Sequence, residues 1–146
     1  MQMGTDMKKE VRLTISGLHA DAEAEHANVE TVVDAEYYKR GDSHYLLYEE
    51  MVEGFKEPSR NRIKFKDNLM ELTRQGVMGT HMIFEENKTH MTPYNTPFGQ
   101  LVLGVSTSRI EVQEQEKQIL VSVDYQLESE GEMLTDSRIA LRIVER

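Results

Sequence analysis

The chain has 146 residues, a formal net charge of −9 and no cysteine. Its length suits one domain that buries roughly 68–70% of its unfolded surface. The negative charge argues against nucleic acid and anionic membrane as partners, because both recruit clustered Lys and Arg. Without cysteine, disulfides, thiolate nucleophiles and zinc–thiolate sites are excluded.

The first residues carry no recognisable address. MQMGTDMKKEVRLTI lacks the apolar core of a signal peptide, and no apolar run approaches the ~18 residues that span a membrane. We therefore expect a cytoplasmic protein that forms one domain over residues 1–146, with residues 1–6 disordered.

Apolar and polar residues alternate along most of the chain. In QILVSVDYQLE, from residue 118 to residue 128, every second side chain is apolar, as in an antiparallel strand with one buried face. This alternation and the turn residues between the segments predict ten strands. Their predicted ranges are 7–17, 28–39, 44–50, 61–66, 69–74, 77–85, 89–96, 100–112, 118–128 and 137–146.

Short, evenly spaced strands with tight turns favour an antiparallel up-and-down meander. With an even number of strands, the first and last run antiparallel, so they can pair and close the sheet into a barrel. A two-sheet sandwich would use the same strands but needs longer crossovers. We therefore predict an all-β meander barrel.

Because successive strands run in opposite directions, successive connections lie at opposite ends of this barrel. One end receives tight turns, and the other receives the long loops 18–27, 51–60 and 129–136 together with the turn at 97–99. Because a ligand needs adaptable walls, we expect the mouth of the barrel at the loop-rich end.

The segment NRIKFKDNLMELTRQ, from residue 61 to residue 75, predicts a hairpin in register. A two-residue turn at Asp67-Asn68 pairs Asn61 with Arg74. Arg74 then lies on the buried face, at the loop-rich end.

The same alternation in HYLLYEE places Tyr48 and Glu50 on one face, with Glu50 at the loop-rich end. Two interpretations of an inward Arg74 and Glu50 stay open. They form an ion pair that plugs the barrel, or Arg74 recognises a carboxylate or phosphate with its guanidinium fork.

The segment HMTPYNTPFGQL, from residue 90 to residue 101, holds two of the three prolines. Thr96-Pro97-Phe98-Gly99 fits a β-turn, and Pro93, which lacks an N–H, suggests a bulge or an edge position. We predict a bulge, because it would turn Met91 inward beside other apolar side chains. Because the segment lies at the loop-rich end, Tyr94, Thr96 and Phe98 would form part of a pocket rim.

His81 and His90 flank a turn near Glu85 and Glu86, so a two-His-one-carboxylate metal site can be drawn. Such spacing is common by chance, and polar residues on a wet face explain it better. We predict no metal and no cofactor.

Four basic residues alternate onto the outward face of one predicted strand: Arg60, Arg62, Lys64 and Lys66. They could form a docking surface for an acidic partner, although a solvated face with Glu71 as cross-strand neighbour is the commoner arrangement.

No catalytic signature stands in the chain. GxSxG, a Gly-rich phosphate loop and HExxH are all missing, so an enzyme is the least favoured hypothesis. Nine methionines and no tryptophan suit a core filled by methionine or an adaptable apolar cavity.

Several short motifs occur in an order that resembles the YwiB-like proteins, small bacterial proteins of unassigned function. They are G-x-x-x-Y-L-x-Y-E-E from Gly41 to Glu50, L-x-R-Q-G from Leu72, M-x-F from Met82, Y-x-T-P-F-G from Tyr94 and Y-x-L from Tyr125. The resemblance implies a lipocalin-like, calycin-type β-barrel and supplies no catalytic residues. True lipocalins have a Gly-x-Trp motif and a signal peptide that this sequence lacks, so a secreted carrier is not implied.

The leading hypothesis is a barrel that binds a small, partly apolar and anionic ligand at its loop-rich end. Its predicted ligand-binding residues are Arg74, Glu50, Tyr94, Thr96, Phe98 and Tyr48. In the alternative, the barrel is filled and serves as a protein interaction module or a homodimer.

Overall fold

The computed structural model describes residues 8–17, 30–51, 54, 56–75, 80–96 and 99–146, with only the backbone of residues 94–96. Ten strands follow one another: β1 Lys9–Ser16, β2 Glu30–Arg40, β3 Ser43–Glu50, β4 Ser59–Lys66, β5 Leu69–Gln75, β6 Thr80–Glu85, β7 Lys88–Thr96, β8 Gly99–Glu114, β9 Gln118–Ser129 and β10 Glu132–Glu145. The expectation for residues 1–6 falls outside the described residues. Within the described ranges, no helix is long and apolar enough to cross a membrane.

The strands form one antiparallel sheet with the order β6-β5-β4-β3-β2-β1-β10-β9-β8-β7. β1 pairs with β10, with Leu13 opposite Ile143, so the meander curls into a nearly closed barrel. Among the described residues, no ladder joins β6 to β7, although these strands are consecutive in the chain. The predicted all-β meander barrel is confirmed.

The interior of the barrel is mainly apolar, because the apolar set of alternating side chains in each strand points inward. All five apolar residues of the repeating face of β9 are buried, namely Ile119, Val121, Val123, Tyr125 and Leu127. Phe84 meets Tyr125 edge to face, with 5.1 Å between the ring centroids. Each large side chain removed from water in this way contributes about 1.5–3 kcal/mol to folding.

The predicted bulge at Pro93 is wrong. β7 pairs with β8 without interruption from Lys88–Thr107 to Thr96–Gly99, and Met91 points outward with 65% of its surface exposed. Pro93 needs no bulge because β7 ends the sheet order, and an edge strand can leave one N–H position unpaired.

The predicted loop 129–136 is also wrong. β9 and β10 are joined by a two-residue turn at Glu130 and Gly131, whose φ angles are 54° and 83°, typical of tight hairpins. The register shifts instead between Met133 and Thr135 of β10 and between Thr107 and Arg109 of β8. At these two bulges the strands bend. In the sequence alone, each bulge is visible only as a shift by one residue in the alternation of apolar and polar side chains.

Hydrogen bonds near the turn that joins β6 to β7 hold these two strands in place without a ladder between them. The Asn87 N–H donates to the Thr107 carbonyl at 2.8 Å, and the Ile110 N–H donates to a Glu86 carboxylate oxygen at 3.0 Å. His90 Nε2 lies 2.8 Å from a Glu85 carboxylate oxygen. Two of these contacts thus run from the β6–β7 turn to β8, and the third joins side chains of β6 and β7. They take the place of a regular β6–β7 ladder.

Candidate functional site

A row of polar side chains faces inward across three neighbouring strands, at the barrel end where β3 and β5 finish and β4 begins. The predicted β4–β5 register is confirmed, with Asn61 opposite Arg74. β3 continues the row, because Tyr48 lies opposite Asn61 and Glu50 opposite Ser59. The period of two in each strand therefore brings five polar residues together beyond the apolar core.

Glu50 is the acceptor at the centre of this polar cluster. One of its carboxylate oxygens receives a guanidinium N–H of Arg74 at 3.2 Å and the amide of Asn61, also at 3.2 Å. The Arg74 side chain is only 17% exposed. Glu50 is its one hydrogen-bond partner among the described residues, although a guanidinium offers five N–H donors.

Buried neutral groups support this ion pair. The Ser59 hydroxyl donates to the Glu50 carbonyl at 3.2 Å, and Tyr48 and Asn61 are both buried. Burial raises the pKa of Tyr48 to about 12, and the Glu50 carboxylate adds to that rise. The Tyr48 hydroxyl is therefore un-ionised and can donate a hydrogen bond at neutral pH.

Beside this cluster, strands β2 and β3 separate from each other. Their ladder ends at Glu36–Leu47, although β2 begins at Glu30 and β3 continues to Glu50. The first half of β2 follows β1 instead, and the end of β3 follows β4. An opening in the barrel wall results.

This opening is a cleft of about 1040 Å³, which we call the β2–β3 cleft. Its lining combines core-facing residues with residues of the outer surface. The core-facing ones are Val33, Ala35, Tyr48 and Asn61. Asn61 thus lies on the wall of the cleft and at the same time bonds to Glu50.

Most charged side chains around the cleft are paired with each other. Arg60 lies 3.8 Å from Glu49, and Arg146 lies 3.4 Å from Glu10. Arg62 also lines the cleft, and it forms no ion pair within the described part of the chain. A cation is therefore available at the rim.

The structure brings three of the predicted site residues together and leaves three untested. Tyr48, Glu50 and Arg74 share the polar cluster. The side chains of Tyr94 and Thr96 lie outside the described atoms, and Phe98 lies outside the described residues.

Sequence reasoning missed the roles of Ser59 and Asn61. The register did place Asn61 beside Arg74, but a small polar residue at the end of a strand carries no signal of its own.

The two histidines of the drawn metal site lie on different faces. His81 points outward and contacts Glu71 at 2.6 Å, whereas His90 is in phase with the inward Val105 and contacts Glu85. The two histidines therefore do not converge on one site, because β6 and β7 do not form a regular hairpin. Among the described residues, no group of three His, Asp or Glu side chains could hold a metal.

A second polar group at the opposite end of the barrel was not predicted. His44 is buried and stacks on Phe65 at 4.5 Å, and its Nδ1 lies 2.7 Å from the Tyr37 hydroxyl. Its Nε2 lies 3.8 Å from Glu114, which also pairs with Lys39 at 3.2 Å. This group lies at the end of the barrel with the tight turns.

The basic stripe of β4 faces outward as predicted. Lys64 lies over the Tyr45 ring, 5.8 Å from its centroid, and Tyr45 stacks on Tyr38 at 4.7 Å. Glu71 stands opposite Lys64 but contacts His81 instead. Lys64 of the stripe thus packs on an aromatic ring of the sheet surface, which supports a structural role for this residue.

Known proteins match the chain at the level of fold and family. The crystal structure of the ywiB protein from Bacillus subtilis superimposes with a TM-score of 0.73 at 17% sequence identity, covering 95% of this chain and 93% of that one. A search of curated proteins gave no match. The family described as "Domain of unknown function (DUF1934)" matches residues 13–141. The resemblance to YwiB-like proteins is confirmed, and the chain belongs to the DUF1934 family.

Proposed function

We propose that this protein is a non-catalytic, cytoplasmic binding protein for a small, partly apolar and anionic ligand. The observation that carries the proposal is the β2–β3 cleft, whose lining reaches from the outer surface to the buried Tyr48 and Asn61. Its volume of about 1040 Å³ is similar to that of clefts that hold small molecules. The lack of cysteine suits a reducing compartment.

The lining of the cleft supports a ligand of mixed character. Val33, Ala35 and Leu47 offer apolar contacts. Tyr48 and Asn61 offer a hydroxyl and an amide at fixed positions, because both are held in the core. Binding sites commonly combine apolar walls with a few oriented polar groups in this way.

Arg74 would orient the anionic group. It lies opposite Asn61 in the ladder, so a ligand that reaches past Asn61 meets the guanidinium. Glu50 would hold one edge of the fork and leave the other donors for a carboxylate, sulfonate or phosphate. Tyr94, Thr96 and Phe98 complete the proposed rim on the sequence argument alone.

Two measurements test the proposal. Native mass spectrometry of gently purified protein should show a stoichiometric small molecule that denaturation releases. After denaturation, removal of the small molecule and refolding, the protein should bind 8-anilinonaphthalene-1-sulfonate, an apolar aromatic anion, and the fluorescence of this probe should saturate.

Variants locate the site. Arg74→Gln should weaken binding of this probe about tenfold, as expected for the loss of one charge-assisted contact. Arg109→Gln is the matched control, because Arg109 is exposed, pairs with Glu111 at 3.5 Å and lies on β8, outside the lining of the cleft. Equal affinity of the Arg74→Gln variant and the unmodified protein would remove Arg74 from the site, and absence of any saturable binding would reject the proposal.

A further inference from the structure

Exposed apolar side chains concentrate on one side of the barrel. Seven large apolar residues are exposed within the described ranges, and five of these lie on β7, β8 and β10. These five are Met91, Leu101, Val102, Met133 and Leu134. Singly scattered apolar residues need no explanation, but a contiguous group commonly marks an interaction surface.

A cross-strand row joins two of them, Met91 and Met133. Met91 lies opposite Gly104, Gly104 opposite Glu128, and Glu128 opposite Met133. The Met91 sulfur lies 3.5 Å from the point where a Cβ of Gly104 would stand, so Met91 covers the bare backbone. Three strand spacings give the row a width of about 14 Å.

The charge pattern around this row is unusual for the chain. Residues 89–108 contain no Asp, Glu, Lys or Arg, whereas 29% of the whole chain is charged. Beside this uncharged hairpin, the tip of the β9–β10 hairpin carries Glu128, Glu130 and Glu132. No Lys or Arg occurs between Lys117 and Arg138, so the glutamates at the hairpin tip have no basic residue nearby in their own hairpin sequence.

We propose that this surface binds a basic amphipathic polypeptide segment of another protein. We define the β7–β10 face as Met91, Val102, Met133 and Leu134 together with Glu130 and Glu132. The apolar side of the segment packs on the flexible methionines, which adapt to differently shaped partners. Its Lys or Arg side chains reach the glutamates at the hairpin tip.

The dimensions suit a helical segment. An α-helix with its side chains is about 10–12 Å across, slightly narrower than the row of about 14 Å. A second copy of the chain is a poorer occupant, because its β7–β10 face would offer no Lys or Arg to pair with the glutamates in a symmetric contact. The β7–β10 face is separate from the β2–β3 cleft, so this inference is independent of the proposed ligand.

A tryptophan-containing peptide provides a clean probe, because the protein has no tryptophan. The peptide has 18 residues of Leu and Lys in an amphipathic helical pattern and one Trp on the apolar side. Binding should shift its emission to the blue. A scrambled peptide of the same composition has the same charge but no apolar face, and it should bind at least tenfold more weakly.

Variants on two different strand pairs separate apolar from charged contributions. Met91→Gln with Val102→Gln should raise the dissociation constant of the amphipathic peptide at least tenfold, and Met133→Gln should also raise it. Glu130→Gln with Glu132→Gln should raise it several-fold and reduce its salt dependence. Val32→Gln is the matched apolar control, since Val32 is 57% exposed on another part of the sheet, and it should leave binding unchanged.

Three outcomes would overturn the proposal. The first is that the scrambled peptide binds as tightly as the amphipathic peptide. The second is that both apolar variants bind the amphipathic peptide as tightly as the unmodified protein does, while their circular dichroism spectra show that they are folded. The third is a homodimer in sedimentation velocity that Met133→Gln dissociates, because the face would then be covered by a second copy.

Discussion

The Tyr125 hydroxyl donates a hydrogen bond to the Gly17 carbonyl oxygen, 3.3 Å away and 108 residues earlier in the chain. Tyr125 belongs to β9 and Gly17 follows β1, so the bond reaches across the intervening β10. Gly17 has a φ of +79°, and a Cβ there would lie 1.8 Å from the Arg138 carbonyl oxygen. The end of β1 therefore fits against β10 only without a side chain.

Replacing Gly17 should be far more damaging than replacing another glycine with positive φ. Gly17→Ala should lower the free energy of unfolding by at least ~2 kcal/mol, because a left-handed conformation and a backbone clash act together. Gly41→Ala should cost only about 1 kcal/mol, since Gly41 has a φ of +61° and nothing within 4 Å. Urea unfolding measures both, and equal losses would contradict the close approach at Arg138.

The Glu50–Arg74 pair should be more strongly coupled than a surface pair. Its side chains are 32% and 17% exposed, and Asn61 shares the same acceptor oxygen. A double-mutant cycle with Glu50→Gln and Arg74→Met should give a coupling energy of about 1 kcal/mol or more.

The Glu49–Arg60 pair is the control for that cycle. Its partners are 61% and 79% exposed and 3.8 Å apart, so the same substitutions there should give about 0–0.5 kcal/mol. Similar coupling in both cycles would show that the Glu50–Arg74 pair is as solvated as the surface pair.

Stability should fall in mild acid because of His44. Burial lowers the pKa of His44 from its usual value, despite the opposing effect of Glu114 and Asp67, while Lys39 lowers it further. The unfolded state therefore takes up the proton first. The stabilising contribution is complete above the unfolded pKa of about 6.5 and is lost as the pH falls toward the folded pKa.

Unfolding free energies at about pH 7.5 and pH 5 test this sign. His44→Gln should reduce the difference between the two pH values relative to the unmodified protein. An unchanged difference in His44→Gln would contradict a histidine held neutral by burial.

The Glu86 carboxylate should stabilise the β8 bulge. Glu86→Ala leaves the Ile110 N–H without its 3.0 Å acceptor and should cost about 1–2 kcal/mol in thermal or urea unfolding. Glu86→Gln keeps an acceptor oxygen and should lose less. Hydrogen exchange of the Ile110 amide should accelerate in the alanine variant, and unchanged exchange would show that the carboxylate is dispensable there.

Local patterns predicted much of this architecture because a strand repeats every two residues. Alternation identified the ten strands and the buried face of β9, and the Asp67-Asn68 turn set the register that places Asn61 beside Arg74. At Pro93 the same missing N–H fitted a bulge or an edge, and only the sheet order decides between them.

Contacts that depend on how the sheet curls could not be predicted. His44 of β3 and Glu114 of β8 meet because the curl of the sheet brings the end of β8 close to the start of β3, and no sequence spacing encodes that approach. The β2–β3 cleft likewise depends on where one ladder ends, which follows from twist and neighbouring strands rather than from the residues of the hairpin.

The pairing of β1 with β10 has a consequence for folding kinetics. Of the nine ladders among the described residues, eight join consecutive strands and can form as local hairpins. The ninth brings Leu13 to Ile143, and closing so long a loop costs about 4 kcal/mol of chain entropy. That closure is therefore expected to be the rate-limiting step, and a circular permutant that joins these two strands by a short linker should fold faster.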